Sequence, residues 1–141
     1  MAAQFTFEVH TPYRLFYSGP VEAIVLTLVD GEIAIYANHN HISAPVVPCL
    51  LKIKDKDGNW KTAFSSDGIL EVTSNKTVLV TDSAEWPKEI DCERAKAAKA
   101  RAVETLKEEG LLKFEAKTAA TALRRAEMRL KARESEPTKK T

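Results

Sequence analysis

Two cysteines in 141 residues, Cys49 and Cys92, are too few for a disulfide framework. They read as small apolar fillers in a chain expected to face a reducing compartment. No apolar run approaches the roughly 20 residues that cross a bilayer as a helix. The opening Met1-Ala2-Ala3-Gln4-Phe5-Thr6 has no basic stretch leading into an apolar core, so no secretory leader is expected. Neither charge sign is in surplus: 21 Lys and Arg stand against 20 Asp and Glu. That balance excludes a generally basic nucleic-acid binder and an acidic tail protein. A glycine-rich phosphate loop, a nucleophile elbow and a zinc spacing are all missing. His39 and His41 could share one face of a strand, but no third ligand lies near them, so no metal is expected. No residue set supports catalysis, and the chain is expected not to be an enzyme.

What is present suits a folded chain, with 44% hydrophobic and 29% charged residues. The averages conceal a division near Pro87. Residues 1–87 hold nine of the ten aromatics, four of the five glycines and five of the six prolines, with a net charge of −4. Residues 88–141 carry +5 and hold 11 alanines with a single aromatic, Phe114. The first part is turn-rich and β-branched; the second consists of strong helix formers.

Period-two alternation at Phe5, Phe7 and Val9 predicts a half-buried strand. Val21 to Val29 reads as a longer, more buried one, and Asp30-Gly31 turns into a third over 32–36. Asp57-Gly58 predicts a hairpin between strands over 50–53 and 60–64. Ser74-Asn75 predicts another between 69–72 and 77–80. Short strands at this spacing predict an antiparallel β-sandwich or flattened barrel. The second part predicts an antiparallel two-helix hairpin over 88–134. Asp91 is its N-cap and Gly110 the stop of its first helix. The expected architecture is therefore α+β, in two domains, with residues 135–141 as a disordered tail. The apolar stripes of both helices are mostly alanine, which buries little, so the hairpin is expected to be weakly held.

Asp91 and Arg94 lie three apart at a helix start, and Arg125 and Arg129 lie four apart on the second helix. If the hairpin folds back, both pairs could face one pocket beside a helix N-terminus, suited to an anionic phosphate. A solvated charged face, or a contact with an acidic protein, fits the same residues. A stand-alone adaptor using the basic hairpin on nucleic acid or membrane is a further alternative. Interspersed Glu104, Glu108, Glu109, Glu115 and Glu127 argue against it.

The order and spacing of several stretches carry a family resemblance. They are Val21-Glu22, Asp30-Gly31-Glu32-Ile33-Ala34-Ile35, His39, Gly68-Ile69-Leu70-Glu71-Val72 and Ile90-Asp91-Cys92-Glu93-Arg94-Ala95. Up to about residue 133 the chain resembles the epsilon subunit of F-type ATP synthases. It departs from the family pattern at Asp67, His41 and Cys49, all near turns.

The resemblance implies an N-terminal β-sandwich followed by two helices. It implies a non-catalytic rotor subunit that couples proton translocation to ATP synthesis. Its partners would be the gamma subunit and the membrane c-ring, with alpha and beta subunits of the catalytic head when the hairpin extends. Glu32 and His39 fall on the family's ring-facing surface. The extended hairpin would inhibit ATP hydrolysis. No cofactor is required, but ATP is implied as a regulatory ligand of the folded hairpin. Ile90, Asp91, Arg94 and Ala95 match the family's nucleotide motif, Arg125 and Arg129 its later arginines, and Glu85 its acid, with Arg101 as a weaker candidate. No nucleic acid is expected, and membrane association would come only through the complex. The implied location is the cytoplasmic side of a bacterial inner membrane, or the stromal face of a thylakoid.

Overall fold

A computed structural model describes residues 3–135. Within them the aromatic-rich part forms strands β1 (Phe5–His10), β2 (Leu15–Leu28), β3 (Gly31–Tyr36), β4 (Ile42–Val46) and β5 (Cys49–Asp55). It continues through β6 (Trp60–Ser65), β7 (Gly68–Val72), β8 (Thr77–Thr81) and β9 (Ala84–Glu85). A 3-10 turn at Pro87–Glu89 then leads into helices α1 (Cys92–Leu106) and α2 (Lys113–Ser135).

The fourteen-residue β2 joins the two layers. Its first part pairs antiparallel with β1, from Phe5 opposite Val21 to His10 opposite Leu15. Its second part pairs with β3 on one side and β5 on the other. The register against β5 shifts between Val21 and Ala23, an irregularity that lets one strand bend between layers. β4, β7, β8 and β1 form the opposing layer. The sandwich is mostly antiparallel as expected, but β1 and β8 run parallel, with Phe7 opposite Thr77. They come from opposite ends of the domain and need no hairpin to join them.

Alternation fills the space between layers. Phe7, Val9, Leu70 and Leu79 point inward with Ile24, Leu51 and Ile53, all fully enclosed. Each such side chain contributes about 1.5–3 kcal/mol by burial. The Asp57-Gly58 hairpin forms as its sequence predicts. One carboxylate oxygen of Asp55 accepts from the amides of Asp57 and Asn59, both at 2.9 Å, and Gly58 takes φ +85°. At Gly68 a Cβ would strike the Val80 carbonyl oxygen and lie 2.8 Å from Thr81 Cα. Gly68→Ala is expected to cost about 1–3 kcal/mol, read as a lower melting temperature. An unchanged melt would contradict the close approach of β7 to β8.

Three strand segments carry no expectation from the sequence, and three local expectations need correction. β4, β9 and the first part of β2 carry no clean alternation: Pro45 interrupts β4, Gly19-Pro20 interrupt β2, and β9 has two residues. α1 stops at Leu106 rather than Gly110, because the Lys107 amide already bonds back to Glu104 and Thr105. Gly110 instead sits in the connection with φ +72°. Ser135 closes α2, whereas the remaining tail positions lie outside the described residues. Of the cysteines, Cys49 is buried as expected but Cys92, at the start of α1, is only half-buried.

Candidate functional site

The hairpin lies down on the sandwich. α1 and α2 pack against each other, and the buried residues of both are alanines: Ala95 and Ala102, then Ala119, Ala126 and Ala132. All three residues Ala63, Phe64 and Ser65 of β6 are buried because α2 covers the face that the sandwich core does not. Phe64, Ile90 and Ala132 form a second small core at this seam.

The alanine seam is not the only fastening. Four arginines of α2 reach the sandwich. Arg124 Nε donates to the carbonyl oxygen of Pro48 at 2.6 Å, and Arg125 Nε to Ser66 Oγ at 3.1 Å. Arg129 Nε donates to Glu85 Oε1 at 2.8 Å, with its guanidinium 4.4 Å from the centre of the Phe64 ring. Arg133 Nη1 donates to the carbonyl oxygen of Pro87 at 2.9 Å. The hairpin is thus held by charge-assisted bonds, three of them partly buried, that sequence spacing alone gave no reason to expect. Burial alone would raise the Asp67 carboxyl, but it is held below its usual range. Hydrogen bonds from Ser66 and its own amide, and the charge of Arg125, outweigh the burial.

A cleft of about 500 Å³ opens where the start of α1, the end of α2 and the sandwich edge meet. That lies within the roughly 300–1,000 Å³ of small-molecule sites. Asp91 caps α1, its carboxylate accepting the Arg94 amide at 3.1 Å. The helical turns that follow, about two of them, bring Arg94, Ala95, Ala98 and Arg101 to the cleft wall. Arg129 comes from α2, Glu85 from β9, and Glu89 and Tyr13 complete the rim. Arg14 clamps Glu89 with two bonds of 2.9 and 2.7 Å. These bonds, and one from the Trp86 amide, hold the Glu89 carboxyl below its usual range against the opposing effect of burial. With Arg129 on Glu85 and Arg14 on Glu89, Arg94 and Arg101 are the exposed cations of the cleft without a bonded acid among the described residues.

The fold therefore gathers Glu85, Asp91, Arg94, Ala95, Arg101 and Arg129 around one space. Ile90 is buried in the second core and does not line the cleft, and Arg125 bonds Ser66 and Asp67 and does not line it either. Sequence reasoning missed Tyr13 and Glu89. Neither sits at a periodic position, and only the fold brings the β1–β2 turn to the helix start. Glu32 and His39 stand toward opposite ends of β3, with roughly 13 Å of strand between Glu32 and Tyr36 alone. His39 and His41 are in the loop after β3, not on a strand, and line a second cleft of about 430 Å³ with Lys76. Among the described residues no three His, Cys, Asp or Glu group to hold a metal, and no helix is long and apolar enough to cross a membrane.

Residues 4–87 match the family model described as ATP synthase, Delta/Epsilon chain, beta-sandwich domain. Residues 88–134 match the long alpha-helix domain of the same chain. The ATP synthase epsilon chain of Caldanaerobacter subterraneus subsp. tengcongensis is 46% identical over 132 residues, covering 93% of this chain and 94% of that one. The ATP synthase epsilon chain of Caldicellulosiruptor bescii is 46% identical over 129 residues, covering 92% and 93%. Among solved structures, a chain of the Euglena gracilis mitochondrial ATP synthase, OSCP/F1/c-ring, superposes with a TM-score of 0.77 at 22% identity, covering 94% of this chain and 82% of that one. A chain from the central stalk/c-ring of the Tetrahymena thermophila mitochondrial ATP synthase gives 0.60 at 14% identity, covering 94% and 98%. Identities that low speak for the fold alone, but the sequence matches span nearly the whole chain. The chain belongs to the ATP synthase delta/epsilon family, as a non-catalytic subunit of the epsilon type.

Proposed function

We propose that this chain works in the rotor of a proton-translocating F-type ATP synthase, with its sandwich seated on the gamma subunit and the c-ring. Its hairpin acts as a brake on ATP hydrolysis. The lowered hairpin leaves the enzyme free, the extended hairpin enters the catalytic head between alpha and beta subunits, and ATP favours the lowered state. The complex would hold it at the cytoplasmic side of a bacterial inner membrane, or the stromal face of a thylakoid.

One observation carries this reading: the cleft has walls from both parts of the chain. Arg94, Arg101 and Arg129 come from the hairpin, Glu85 and Tyr13 from the sandwich. A ligand gripping both walls has affinity for the docked state only, and that difference is what moves an equilibrium. Extension would also free Arg124, Arg125 and Arg129 from the sandwich, uncovering cations that suit acidic surface in the catalytic head. The same engagement disfavours the stand-alone adaptor, since four arginines of its basic face are occupied while the hairpin is down.

Titration calorimetry on the full chain tests the nucleotide part. ATP is expected to bind at or below millimolar concentration, and Arg94→Ala to abolish that binding. Absence of ATP binding at millimolar concentration would remove nucleotide control and leave a brake that works through protein contacts. The ring contact is tested in the assembled enzyme. Glu32→Lys is expected to weaken coupling between proton flow and ATP turnover with the fold intact, since exposed rim charges steer and orient. Unchanged coupling would take Glu32 out of that contact.

A further inference from the structure

Tyr13 is 86% exposed, the most exposed of the large apolar side chains among the described residues, and it lines the same cleft as Arg94, Arg101 and Arg129. Burial does not explain its position. The turn that carries it is braced. The Thr11 amide donates to the Arg14 carbonyl at 3.0 Å, and Thr11 Oγ1 accepts from the amides of Tyr13 at 3.2 Å and Arg14 at 3.1 Å. Next to it, the two-bond clamp of Arg14 on Glu89 ties the turn to the segment just before α1. A rigid backbone turn therefore carries an aromatic ring at the rim of a cleft lined by three arginines and three carboxylates, and only the ring's own two side-chain torsions are left to be ordered on binding.

We propose that Tyr13 is the base-stacking platform of this site: the arginines take the phosphates of a nucleoside triphosphate, and the Tyr13 ring takes the face of its base. The inference rests on the nucleotide reading of the cleft and adds the element that tells a nucleotide from bare polyphosphate. Stacking needs only a π face, so the ring reads the presence of a base rather than its identity.

Calorimetry on the full chain with two probes, ATP and inorganic tripolyphosphate, tests it. The unaltered chain is expected to bind ATP more tightly than tripolyphosphate. Tyr13→Ala is expected to weaken ATP about 5- to 150-fold and leave tripolyphosphate unchanged. Tyr13→Phe keeps the ring and is expected to keep the ATP affinity. Equal losses for both probes in Tyr13→Ala, or no loss for ATP, would overturn the assignment. So would an unaltered chain that binds tripolyphosphate as tightly as ATP. An unaltered chain that binds neither would overturn the nucleotide reading itself, and this inference with it.

Discussion

Deleting the chain from Lys88 onward is expected to raise ATP hydrolysis by the assembled enzyme. The main core of the sandwich draws no residue from beyond Trp86, so the shortened chain keeps its packing. What it loses is the cover over Phe64 and the arginine contacts at the sandwich edge. If the extended hairpin is favoured by about 1.4 kcal/mol when ATP is scarce, roughly one complex in ten is unbraked, and removal restores about tenfold activity. The gain should shrink as ATP rises, because ATP would already have drawn the hairpin down.

Ala132→Leu is expected to act in the opposite direction. Ala132 is fully buried against Phe64 and Ile90, where α2 meets the sandwich. A larger side chain there overpacks the seam at a cost of about 1–3 kcal/mol. Through the docking equilibrium that cost multiplies the ratio of undocked to docked hairpin by about 5- to 150-fold. Hydrolysis by the assembled enzyme should fall, and ATP affinity of the isolated chain should fall with it. Amide exchange in α2 should quicken while the sandwich keeps its melting temperature. Unchanged ATP affinity would mean that the cleft does not need the docked hairpin.

The parts of this molecule that sequence makes legible are those whose causes are local. Asp57-Gly58 dictates its hairpin through backbone geometry, and Asp91 dictates the start of α1 through one side-chain bond to Arg94. Both can be read within a few residues. Contacts made across the fold leave no such mark. Arg124 reaches a carbonyl 76 positions earlier, and Arg125 a hydroxyl 59 positions earlier. In the sequence these arginines look like one cationic stripe, and spacing gave Arg125 and Arg129 a shared face. The fold separates them, Arg129 to the cleft and Arg125 to Ser66. Tyr13 was illegible for the same reason: its significance comes from the helix start that the fold brings beside it. The alanine seam expected from the sequence is present, but an expectation of weakness drawn from side-chain burial takes no account of polar contacts that only the docked state creates.

The account stands most directly on a comparison of ATP hydrolysis rates at low ATP between assembled enzymes that differ only in this subunit. One would carry the full chain, one the chain ending at Pro87, and one Ala132→Leu. The expected order places the shortened chain fastest and Ala132→Leu slowest. Equal rates with the full and the shortened chain would contradict a hairpin brake.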